Sequence, residues 1–147
     1  MSVALSDKYR FWWITLWLIH PTFFNLIYNT MPRSELVIFT QTYDLLTWLL
    51  PHCERFPKGQ RFVVTQRLQG AALDFQEAIF EANARSGSER LSHLQAADAH
   101  LNKLRLYLRL VRQWDWLGSG QYEHVSRMVA HIGRLLGGWI KQTRSAK

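Results

Sequence analysis

Cysteine is almost missing from this chain: one thiol, Cys53, in 147 residues. A lone cysteine excludes an internal disulfide scaffold and suits a reducing, cytoplasmic setting. Period-two alternation is missing as well, so nothing in the chain reads as an extended strand-rich core. Several catalytic signatures are absent too. There is no glycine-rich phosphate loop, no GxSxG elbow and no HExxH helix. The di-iron pattern of helical bundles needs Glu-x-x-His on two helices, and neither copy occurs. Glu89 and His93 are four apart; His93 and His100, like His124 and His131, are seven apart, too far for joint ligation from one helix. These absences argue against an enzyme and leave no metal or cofactor to expect. Cys53 follows Pro51 with no base in view, so it is not read as a nucleophile.

Apolar residues, in contrast, are plentiful. At 48% hydrophobic and 14% aromatic, the composition excludes disorder, and the length favours one domain. Residues 11–28 carry no formal charge and follow Lys8 and Arg10, which superficially resembles a membrane segment or signal peptide. His20-Pro21 splits that run, Thr22 and Asn25 interrupt it, and no A-x-A-like cleavage site follows. Composition changes at Met31. The expectation is that Met31 is the biological start, with residues 1–30 an over-extended reading frame and 31–147 the folded domain. A short membrane anchor and an extra amphipathic helix are the rival readings of residues 1–30.

From residue 34 onward the 3.6-residue period recurs in four segments. The first begins near Ser34, a residue suited to N-capping, with Leu36, Phe39, Tyr43, Leu46 and Leu50 on one face. Pro51 should kink it. The second covers about 60–84 and points Phe62, Leu68, Ala72, Phe75, Ile79 and Phe80 inward, with Arg67, Asp74, Glu77 and Glu81 opposite. Ser88 is the expected cap of a third helix over about 88–114, with Leu101, Leu104, Leu108 and Val111 as its core stripe. Trp114, Trp116 and Gly118-Ser119-Gly120 close it. The fourth, about 121–143, carries Val125, Val129, Ile132, Leu136 and Trp139 as a continuous stripe. Short connections favour antiparallel neighbours, so the expected fold is all-α, an up-down-up-down four-helix bundle.

Charge is unevenly placed. From Met31 to Arg85 six bases balance six acids, whereas from Ser86 onward ten bases face four acids. That bias points to a polyanion or an acidic protein surface as partner, against the plainer reading of a solvated face. On the third helix Arg105, Arg109 and Arg112 fall within about 60° and form a ridge beside the core stripe. Leu106, Tyr107, Leu110 and Trp114 occupy a second apolar sector. A surface helix of a monomer needs one apolar stripe, so the second sector is expected to meet another copy of the chain. On the fourth helix Arg127, Arg134 and Lys141 recur every seven residues opposite the Ile132 stripe, and Arg144 extends the line. Seven-residue spacing sets such side chains about 10 Å apart on one face, suited to phosphates read without sequence. Gly133 and Gly137 lie on this helix in GxxxG spacing, which reads as local close packing.

Residues 96–110 read AADAxLxxLRxxLRL and residues 133–139 read GRxLGxW. Together they resemble the accessory variability determinant (Avd) proteins of diversity-generating retroelements. The likeness runs from about Ser34 to Arg144, including the proline inside the first helix; residues 1–30 have no counterpart. The resemblance implies a homopentameric barrel of four-helix bundles. It also implies a non-catalytic partner of a reverse transcriptase that binds template-repeat RNA and cDNA during mutagenic copying. Arg105, Arg109 and Arg134 match its motif arginines. The alternative is a four-helix oligomer of the type encoded in ribosomal RNA intervening sequences, which shares the fold and has unknown partners.

Overall fold

The computed structural model describes the backbone of residues 33–146 and the side chains of residues 37–146. The expectations for residues 1–30 and for Met31, and the roles of Ser34 and Leu36, lie outside those described residues. Four α-helices account for nearly all of the described chain: α1 (Arg33–Cys53), α2 (Gln66–Asn83), α3 (Gly87–Gln113) and α4 (Ser119–Ser145). A 3₁₀ turn at Lys58–Gln60 and a π-helical turn at Arg61–Thr65 lead into α2. No strand occurs among the described residues, so the fold is all-α. No described helix is long and apolar enough to cross a membrane.

The core is built from the stripes that regular periodicity predicts on the two long helices. Leu101, Leu104, Leu108 and Val111 of α3 are buried, as are Val125, Val129, Ile132, Leu136 and Trp139 of α4. Leu94 and Ala97 lengthen the first stripe and Thr143 the second. Each such leucine contributes about 2 kcal/mol by leaving water. Between α3 and α2, His93 reaches Glu81 and His100 approaches Asp74. Phe39 of α1 stacks on Phe80 of α2 and meets the edge of Trp139 of α4, while Trp48 of α1 lies against His124.

On α1 and α2 the buried faces differ from those expected. On α1 Phe39 is core as expected and Leu46 and Leu50 are half-buried, but Tyr43 is 68% exposed, and Ile38, Thr42, Leu45, Leu49 and Cys53 face inward. The two offsets are nearly equally apolar, and Thr42 can be buried because its hydroxyl donates to the Ile38 carbonyl at 2.7 Å. On α2, Leu68, Ala72, Phe75 and Ile79 are core as expected, but Phe62 is 80% and Phe80 51% exposed. The π-helical turn shifts the register ahead of α2, so Val64 and Thr65 take the inward places. Pro51 sits in the last turn of α1, and the helix closes two residues later.

Helix ends also depart from the sequence reading. Ser86, not Ser88, precedes α3, without a side-chain capping bond, and Gly87 takes φ +57°. Arg90 in the first turn of α3 reaches back to donate to the Ala82 and Arg85 carbonyls at 3.2 and 2.8 Å, tying off the end of α2. The far end of α3 closes on Asp115 rather than on the glycines after it. Asp115 has φ +56°, its N–H bonds Arg112 O at 3.0 Å, and Trp116 N–H bonds Val111 O at 2.9 Å. That is a Schellman closure with aspartate in the left-handed position. Gly118 caps the start of α4, its N–H donating to Gln121 Oε1 at 2.9 Å.

Candidate nucleic-acid interface

Three of the predicted arginines converge. Where α3 crosses α4, Arg105, Leu108 and Arg109 of one helix face Tyr122, Ser126, Val129, Ala130, Gly133 and Arg134 of the other around a cavity of about 640 Å³. No carboxylate lines it. The cavity exists because one helix face is small. Ser126, Ala130 and Gly133 recur at intervals of four and three residues, so α4 withdraws its bulk from α3 there.

Arg105 is held in place. Its Nη1 donates to Asn102 Oδ1 at 2.7 Å, and Asn102 Nδ2 donates to Asp98 Oδ2 at 3.3 Å. Its guanidinium points Nη2 end-on at Gly133, where any Cβ would collide with it. Gly133 therefore makes room for a side chain of α3, while Gly137 borders open space. The GxxxG pair thus splits into one packing glycine and one without a close neighbour. A guanidinium has five donors, so Arg105 keeps most of its capacity for a ligand. Arg109 and Arg134 are exposed. Arg134 Nη2 lies 3.3 Å from His131 Nδ1, and Arg109 has no ion pair among the described residues.

The remaining predicted cations do not join this cluster. Arg112 is occupied by Asp115 at 2.6 Å and by the Leu117 carbonyl at 3.4 Å, clasping the end of α3. Arg127 pairs with Glu123 at 2.6 Å, one turn away on its own helix. Lys141 and Arg144 are exposed near the end of α4, outside the cavity. The second apolar sector of α3 is where periodicity placed it. Leu106 is 47% and Trp114 45% exposed, with Tyr107 and Leu110 half-buried, so the single chain leaves it open.

Tyr122, Ser126 and Asn102 escaped the sequence reading. The small-residue series Ser126-Ala130-Gly133 was the available signal, masked by the more familiar Gly133–Gly137 spacing. Cys53 is buried, and desolvation pushes its thiol from 9.0 up to about 12, so it stays protonated near neutrality. No group of histidine, cysteine and acidic side chains able to hold a metal occurs among the described residues.

An all-α four-helix protein with an arginine-lined cleft between its two longest helices is the class this geometry defines. The chain belongs to the bAvd-like family, whose model matches residues 36–143. That span contains both motifs and every converging arginine. Among solved structures it is similar to a protein of unknown function from the S23 ribosomal protein family of Bacteroides thetaiotaomicron VPI-5482. The two are 18% identical with a TM-score of 0.67, over 74% of this chain and 98% of that one. That likeness concerns the fold. No curated protein matches the chain.

Proposed function

We propose that the protein is a non-catalytic accessory factor of a diversity-generating retroelement. In this reading it binds the reverse transcriptase and the template RNA or its cDNA through basic surfaces and supports mutagenic cDNA synthesis in the cytoplasm. The carrying observation is the convergence of Arg105, Arg109 and Arg134, which the resemblance matches to motif positions, on one acid-free cleft. Side chains that served only solubility would have no reason to gather there with one of them seated over a glycine.

The reversed order of contacts between α2 and α3, and between α1 and α4, supports an up-down-up-down bundle. The open sector of Leu106, Tyr107, Leu110 and Trp114 supports self-association, and the resemblance to Avd proteins implies a homopentameric barrel as its form. Copies arranged around an axis would set their arginine clefts in a ring, multiplying weak phosphate contacts by avidity.

The double variant Arg105→Glu/Arg109→Glu tests this reading. Helicity and oligomeric state should be unchanged, since neither side chain is core, while pull-down of the neighbouring reverse transcriptase or of template RNA should be lost. Wild-type affinity for RNA should fall steeply between low and moderate salt, as phosphate contacts release counterions. Undiminished pull-down by the double variant, together with a flat salt response, would defeat the proposal.

A further inference from the structure

The cleft is not evenly cationic along its length, and that unevenness names a ligand. Arg105 and Arg134 sit at the Gly133 end and Arg109 one turn along α3 from Arg105, whereas the uncharged Tyr122 and Ser126 sit toward the start of α4. At the helical rise, Ser126 and Gly133 are about 10 Å apart and Tyr122 and Arg134 about 18 Å. A bare inorganic anion would use only the arginines. The other end offers a half-buried phenol ring that stacks on no aromatic ring among the described residues, a serine hydroxyl, and an apolar floor of Leu108 and Val129.

We infer that this cleft takes an unpaired strand of two or three nucleotides, with a phosphate on Arg105 and Arg134 and the base at its other end turned in against Tyr122. Packed helix axes lie about 8–10 Å apart, so the furrow between α3 and α4 is too narrow for a duplex and admits a single splayed base. A tyrosine face suits any base, because stacking tolerates sequence, and the Ser126 hydroxyl can donate or accept at a base edge. Nothing on the floor of the cleft reads a particular base. The site therefore selects single strands over duplexes and is indifferent to sequence. This inference rests on the nucleic-acid arm of the proposed function and would convert a generic basic surface into a strand-type filter.

Binding of the full chain to three labelled probes of equal length and charge tests it: a single-stranded RNA, its duplex, and an abasic single strand. The single strand should bind about tenfold more tightly than either of the others. Tyr122→Ala should lower its affinity about five- to a hundredfold, the range for one stacked base, and abolish the preference. Tyr122→Phe should keep it, which separates stacking from misfolding. Equal affinity for all three probes, or a preference that survives Tyr122→Ala, overturns the nucleotide pocket. Should that equal affinity still vanish in Arg105→Glu/Arg109→Glu, the basic-surface reading stands alone. Displacement of RNA by oligoglutamate but not by a uridine trinucleotide would assign the cleft to a protein carboxylate and likewise overturn the pocket. If no probe binds while the polymerase still co-purifies, the pocket falls and the protein-binding arm of the proposed function survives.

Discussion

Arginine is used by this chain in two opposite ways. Arg90, Arg112 and Arg127 have their donors engaged by backbone carbonyls or nearby carboxylates, which finishes helix ends and surface turns. Exposed pairs such as Arg127–Glu123 contribute little to stability. Arg105 is instead oriented by an uncharged amide and a glycine, an arrangement that leaves its charge uncompensated. Cys53 shows the same contrast between chemical potential and environment. Burial favours the neutral thiol, so in the folded state its pKa stands at about 12 against an ordinary 9.0. The stabilisation this brings is complete below pH 9 and is lost as pH climbs from 9 toward 12, because the unfolded chain then releases a proton that the folded chain keeps. Iodoacetamide at pH 8 should modify Cys53 slowly in the native protein and rapidly after denaturation. Melting temperature should also fall less between pH 9 and 12 in Cys53→Ala than in the wild type. Fast labelling of the native protein would contradict the burial.

Among the elements, α4 has the cleanest division of labour. One face is a continuous apolar stripe from Val125 to Trp139, and the adjoining face thins to Ser126, Ala130 and Gly133 where α3 brings its arginines. Glycine in mid-helix costs about 1 kcal/mol relative to alanine, and here that cost coincides with a seated guanidinium. Gly133→Ala should therefore separate stability from binding. The added methyl strengthens helix propensity and displaces only the far end of a flexible side chain, so the melting temperature should hold or rise by a few degrees. RNA affinity should nevertheless drop several-fold as Arg105 swings away from its seat. Thermal melts and anisotropy titrations on one protein preparation check both halves. A variant with lower stability and unchanged affinity would show that Gly133 serves only the packing of α3 on α4.

For the molecule as a whole, the open sector on α3 is the surface that the proposed self-association would use. A bundle whose core is already complete still leaves Leu106 and Trp114 about half exposed on the same helix that carries the cleft. Covering them with another subunit would remove that apolar surface from water and fix the spacing between clefts. Leu106→Glu/Trp114→Glu should convert the assembly to single subunits with native helicity, read by size-exclusion chromatography with light scattering. RNA affinity should then fall well beyond the effect of one added negative patch, because linked clefts bind with avidity. An unchanged assembly would place the interface elsewhere on the surface.

Much was legible in the order of residues alone: the all-α class, the near-complete ranges of α3 and α4, their buried stripes, and the crowding of positive charge into the second half. Periodicity and charge are properties of the covalent chain, and long regular helices express them without interruption. Short-range rivalry limited the rest. On α1 two neighbouring stripes were almost equally apolar, and a threonine that satisfies its own hydroxyl took a core place that Tyr43 was expected to hold. A π-helical turn, invisible to a fixed 100° step, moved Phe62 out of the core. Which arginines converge was decided only in three dimensions. Convergence across α3 and α4 depends on how the two helices are rotated and staggered against each other. That in turn depends on where small side chains let the helices part, which no single helix's periodicity contains.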